Sequence, residues 1–113
     1  MKNLVTYDEF AKIEIRVGTI ISAELNENLE KQSIIMNIDF GSKIGIKKSS
    51  AQLSKNYKSE KLINKQIAAV INFPQKQIGN LISEVLVLGF PDDNGEPVLI
   101  IPDKLVSNGG KIY

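Results

Sequence analysis

Apolar positions along the chain fall first at helical spacing and then at alternating spacing. Thr6-Tyr7-Asp8-Glu9 has the spacing of a capping box, with Thr6 as N-cap, and Val5 and Phe10 flank it as a hydrophobic staple would. The helix is predicted to be short, because Ile13, Ile15 and Val17 then alternate with Glu14 and Arg16. A period of two marks a strand with one buried face. This first strand runs on to Ala23, with Gly18 as a bulge or tight bend where the sheet curls. Polar residues Asn26 to Gln32 make the first connection, and Ser33–Phe40 is a second strand with Ile34, Met36, Ile38 and Phe40 on one face. Gly41-Ser42 is turn chemistry, and Ile44, Ile46 and Lys48 open a third strand, giving a β-hairpin with a short loop.

Alternation then lapses. Leu53, Tyr57 and Leu62 recur at roughly helical spacing, so one or two helical turns are placed between Ser50 and Asn64. Gln66–Asn72 and Glu84–Phe90 are rich in β-branched residues and are predicted as strands four and five, separated by a loop from Phe73 to Ser83. Asp92-Asp93-Asn94-Gly95 is a turn, and Val98–Ile101 a final short strand ended by Pro102. Three strands, a short helix and two strands is the order of an OB fold: an all-β, five-stranded Greek-key barrel with minor α content. A β-sandwich would call for about seven strands and no central helix. Residues 1–113 are expected to form a single domain.

Composition narrows the chemistry. The 113 residues include no cysteine and no histidine. Disulfides, thiolate zinc sites and every serine–histidine or cysteine–histidine nucleophile are therefore excluded. Asp39, Glu84 and Lys65 are present, but their spacing suggests no paired chemistry, so a binding module with no cofactor is expected rather than an enzyme. The sequence shows no apolar run of membrane-spanning length and no apolar leader after Met1, and a cytoplasmic protein without membrane insertion is the expectation. Net charge is only +1, yet residues 43–76 carry eight lysines against Glu60, inside an otherwise acidic chain. That contrast fits either a solvated lysine face or an anionic partner, nucleic acid first among them.

Several blocks together resemble a known family. Ile13-Glu14-Ile15-Arg16-Val17-Gly18-Thr19-Ile20 is similar to the opening strand of the tRNA-binding domain family, which includes the endothelial-monocyte-activating-polypeptide domain. Ile38-Asp39-Phe40-Gly41, Gly45–Gln52, Leu62–Gln66, Asn72-Phe73-Pro74 and Ser83–Gly89 resemble its CsaA-type, export-related chaperone branch. The resemblance runs from Phe10 to Ile112. It implies an OB fold, a homodimer, tRNA binding in related members, and binding of unfolded or pre-export polypeptides in this branch. A chaperone of that kind is the first expectation, and a tRNA-binding accessory module that reads shape and phosphates is the alternative.

Candidate residues follow from both lines. Lys47 and Lys48 are adjacent on strand three and point to opposite faces, so only one can serve a binding face; if Ile46 points inward, Lys47 points outward. Both also fit as rim lysines. Lys76 lies in the predicted 73–83 loop, and Arg16 either meets phosphate or pairs with Glu14. Asn72 and Ser83, with Glu84, either fix that loop beside a nucleic acid or satisfy local backbone amides. Phe73 is a candidate for base stacking or peptide contact, or for capping the barrel, whereas Phe40 fits the core. Ile78, Leu81 and Ile82 place apolar groups in an exposed loop, suited to a peptide groove or a subunit contact. The family pattern carries more basic residues after Pro74 than Gln75-Lys76-Gln77 supplies, and Asn26–Gln32 has net charge −1; both features weaken phosphate binding. The terminal segments Leu4–Phe10 and Val98–Tyr113 hold surplus apolar residues, expected to build the dimer interface.

Overall fold

The computed structural model describes residues 3–26 and 32–113. Helix α1 (Tyr7–Ala11) starts as the capping box dictates: the Thr6 hydroxyl accepts from the Glu9 N–H at 3.1 Å, and the Glu9 carboxylate accepts from the Thr6 N–H at 2.9 Å. Val5 remains 73% exposed, so the expected staple buries little. Strands β1 (Ile15–Asn26), β2 (Ser33–Asp39) and β3 (Ile46–Ala51) follow, then helix α2 (Ser59–Leu62) and strands β4 (Gln66–Val70), β5 (Lys76–Ile78), β6 (Leu81–Ser83), β7 (Leu86–Val87), β8 (Gly89–Pro91) and β9 (Pro97–Leu99). Five of these form one strongly curled antiparallel sheet in the order β3-β2-β1-β4-β7, an OB-type half-barrel with α2 inserted between its third and fourth strands.

Strand β2 matches its alternation: Ile34, Met36, Ile38 and Phe40 are all buried and meet Ile20, Leu53, Leu62 and Ile67 in the core. Strand β1 does not follow the predicted face. Its core-facing residues are Gly18 and Ile20, while Ile15 and Val17 line an outer groove. The bulge lies at Ile21, where the register passes from Ile20↔Ile38 to Ser22↔Asn37, rather than at Gly18. One extra residue reverses the parity, so Ala23 and Leu25 take up the side that Ile20 faced. Gly18 serves close packing instead: a β-carbon there would stand 2.6 Å from Ile38 Cγ2 and 2.8 Å from the Phe40 ring.

Two further expectations are corrected. The segment from Phe73 to Ser83 is not a loop throughout; β5 and β6 form a two-stranded ribbon with Ile78 opposite Leu81 and Gln77 opposite Ile82. Its two-residue turn is Gly79-Asn80, and the positive φ of 61° falls on Gly79, the arrangement of a type II′ hairpin. The predicted fifth strand is broken: β7 pairs with β4, and after Leu88 the chain leaves to pair β8 with β9, Phe90 facing Val98. The predicted connection Asn26–Gln32 lies largely outside the described residues, which resume at Gln32.

The carboxyl-terminal segment runs as a strap beside β1. Gly109 N–H donates to Val17 O at 2.8 Å, Val17 N–H to Gly110 O at 3.1 Å and Ile112 N–H to Ile15 O at 2.9 Å. The Gln66 side-chain amide completes the attachment, donating to Val106 O at 2.7 Å and accepting from Val106 N–H at 3.0 Å. Among the described residues no helix is long and apolar enough to cross a membrane.

Candidate binding surfaces

The edge of the curled sheet at β3 is met by the chain between β6 and β7. Glu84 N–H donates to Lys48 O at 2.8 Å, and the Glu84 carboxylate accepts from the Lys48 N–H at 2.9 Å. The Ser83 hydroxyl accepts from the Ser50 N–H at 3.1 Å, and Ser49 Oγ donates to Val85 O at 3.2 Å. Two side chains thus stand in for strand carbonyls along a sheet edge that would otherwise present free N–H groups. Beside this seam opens a groove of about 390 Å³ lined by Lys48, Gln75, Asn80, Leu81, Ile82 and Glu84.

The groove gathers some predicted residues and not others. Lys48, opposite Asn37, points outward into it. Lys47, opposite the buried Ile38, is half-buried on the core side, and Ile46 is 57% exposed, so the expected orientation of this pair is reversed. Leu81 and Ile82 line the groove; Ile78 is Leu81's half-buried cross-strand partner. Lys76 is exposed on β5, and Phe73 is exposed at the bend after β4, neither of them a groove wall.

Three nucleic-acid candidates are engaged within the framework. Asn72 accepts from Glu14 N–H and donates to Lys12 O, both at 2.8 Å, which ties the end of α1 to the end of β4. Ser83 is buried in the seam. Arg16 donates through Nε to Glu14 at 3.0 Å and through a terminal nitrogen to Gly109 O at 2.9 Å. Lys111 approaches the same carboxylate at 3.0 Å and donates to Ala11 O at 2.6 Å. Hydrogen bonding from Arg16 and then Lys111 holds the Glu14 carboxyl below the ordinary glutamate range. The pairing of Arg16 with Glu14 was one of the two roles the sequence offered, whereas the partners of Asn72, Ser83 and Lys111 are remote along the chain, as far apart as Ala11 and Lys111. Gln75 and Asn80 escaped sequence reading for another reason: polar residues in a presumed loop carry no periodic signal, and only the ribbon brings them to one wall.

A second surface lies along β1 and the carboxyl-terminal strap. A groove of about 480 Å³ is lined mainly by apolar groups, among them Ile15, Val17, Ile100, Ile101, Val106 and Ile112. Ile101, Val106 and Ile112 are 54%, 49% and 44% exposed.

Residues 15–111 match the family described as "Putative tRNA binding domain". The chain belongs to that family. Its fold is similar to the chaperone CsaA of Bacillus anthracis, at 40% identity and a TM-score of 0.92, covering 98% of this chain and 100% of that one. CsaA of Picrophilus torridus is 48% identical with a TM-score of 0.89, over 97% and 100% of the two chains. The methionine–tRNA ligase of Nanoarchaeum equitans is 38% identical over 109 residues, 96% of this chain. The chain spans only 14% of that ligase's length. The chain is thus similar both to one part of a ligase and, end to end, to chaperone chains.

Proposed function

We propose that this tRNA-binding-family domain is a CsaA-type binding module, a homodimer that holds unfolded or pre-export polypeptides at the seam groove. The observation that carries this reading is the groove's composition. Leu81 and Ile82 supply apolar contact, Gln75 and Asn80 supply amides, and Lys48 and Glu84 supply one charge of each sign. Such a mixture suits extended polypeptides of varied sequence better than a polyphosphate, which Glu84 would repel. Similarity to two chaperones over essentially the whole of their chains supports the same reading. The apolar groove along the strap is the proposed subunit contact.

The test is suppression of aggregation of a chemically denatured client. Ile82 is 47% exposed, so Ile82→Asp spares the core. The variant is expected to keep its fold by circular dichroism and to lose most of its protection of the client; full protection by folded Ile82→Asp would reject the groove. A second reading, tRNA binding by shape and phosphate, is favoured by the lysines of residues 43–76, none of which forms an ion pair among the described residues.

A further inference from the structure

We propose that the connection between β3 and β4, and not the seam groove, is the surface on which this protein binds the phosphate backbone of structured RNA. The inference rests on the tRNA-binding reading and moves its site. Residues 52–65 contain Lys55, Lys58, Lys61 and Lys65 against the single acid Glu60. The inner side of this segment is fixed: Leu53 and Leu62 are buried, and the Tyr57 hydroxyl accepts from the Leu99 N–H at 3.0 Å. Asn64 N–H donates to Ile20 O at 2.7 Å, and Ile20 N–H to Lys65 O at 2.9 Å. With the apolar side chains committed inward, Lys55, Lys58 and Lys61 are left exposed, and Lys65 half-buried.

The acids close to this segment keep their charge but are held by neutral donors and not by its lysines. Asp92 accepts from Asn56 Nδ2 at 2.9 Å and from the N–H groups of Asn94 and Glu96 at 2.8 and 3.0 Å, and Glu60 accepts from the Ser59 hydroxyl at 3.4 Å. No ion pair to any of the four lysines occurs among the described residues. The outer face of β1, β2 and β3 offers the opposite balance. There Lys48 stands with Glu24 and Asp39, which share its side of the sheet by register. Coulomb attraction therefore directs an RNA polyanion toward α2 rather than across that face. Lysines acting as point charges give binding that depends on salt and tolerates sequence.

The experiment measures binding of fluorescently labelled tRNA to the full chain by anisotropy across a range of KCl concentrations. Two double variants are compared, Lys58→Gln/Lys61→Gln and Lys48→Gln/Lys76→Gln. Lys58 is the N-cap residue of α2 but makes no side-chain capping bond, so its replacement removes no cap. Loss of two phosphate contacts should lower the slope of log affinity against log salt by about two in the first variant. The second should retain a slope near wild type. If the slope falls in the second variant and stays in the first, tRNA binding stands and the proposed surface is overturned. A wild-type chain that binds no tRNA even at low salt overturns both the tRNA reading and the surface drawn from it.

Discussion

Gly18 faces the core at the point where β1 passes from pairing with β4 to pairing with β2. Its missing side chain is a packing requirement, since Ile38 and Phe40 already occupy the space a methyl would need. Both neighbours are themselves fully buried and have no free volume to retreat into. Gly18→Ala is expected to cost about 1–3 kcal/mol. A urea titration would show this as a lower midpoint with unchanged m; an unchanged midpoint would mean the core is looser than described. Gly109 answers to a different constraint, adopting a φ of 94° with Phe40 O only 2.6 Å from a would-be β-carbon. It places the strap against both β1 and the β2 end, a role invisible in its sequence neighbourhood.

At the scale of elements, the strap is held by the charge cluster of Glu14, Arg16 and Lys111. Glu14 titrates below its ordinary range when folded, so its contribution is complete above the ordinary carboxylate range and is lost as pH falls through the folded value. Acid should loosen the strap from β1, and Glu14→Gln should remove that part of the pH dependence. Thermal unfolding followed from neutral to acidic pH would show the wild-type and variant curves converging in acid; parallel curves would contradict the role given to Glu14. Element order was legible in the sequence wherever one local rule governed, as in the Thr6–Glu9 cap and the β2 alternation. It was not legible where one extra residue or a distant partner decided. Ile15 and Val17 face the groove along the strap instead of the core, and the bulge at Ile21 brings Ala23 and Leu25 to the core side. The II′ turn at Gly79 converted a loop into a ribbon, and Ser83 went to the seam because β3 lacked a strand on its edge. For the candidate site, Lys48, Leu81 and Ile82 were readable as residue types, while their meeting depended on barrel curvature.

The whole molecule presents two unlike surfaces: a mixed groove at the seam and an apolar one along the strap. Half-exposed Ile101, Val106 and Ile112 in one groove are more than scattered surface apolar residues, and a second copy would cover them. On the proposed homodimer, the wild type is expected to sediment as a dimer and Ile101→Glu as a monomer with its circular dichroism unchanged; a dimer that survives would move the contact elsewhere, and a monomeric wild type would contradict the proposed assembly. Since the seam groove carries the functional reading, amide chemical-shift mapping tests it most directly. A permanently unfolded, carboxymethylated polypeptide is titrated into isotopically labelled protein. Perturbations are predicted at Lys48, Gln75 and Asn80 through Glu84. Saturable shifts confined to other surfaces, with these amides unmoved, would contradict it.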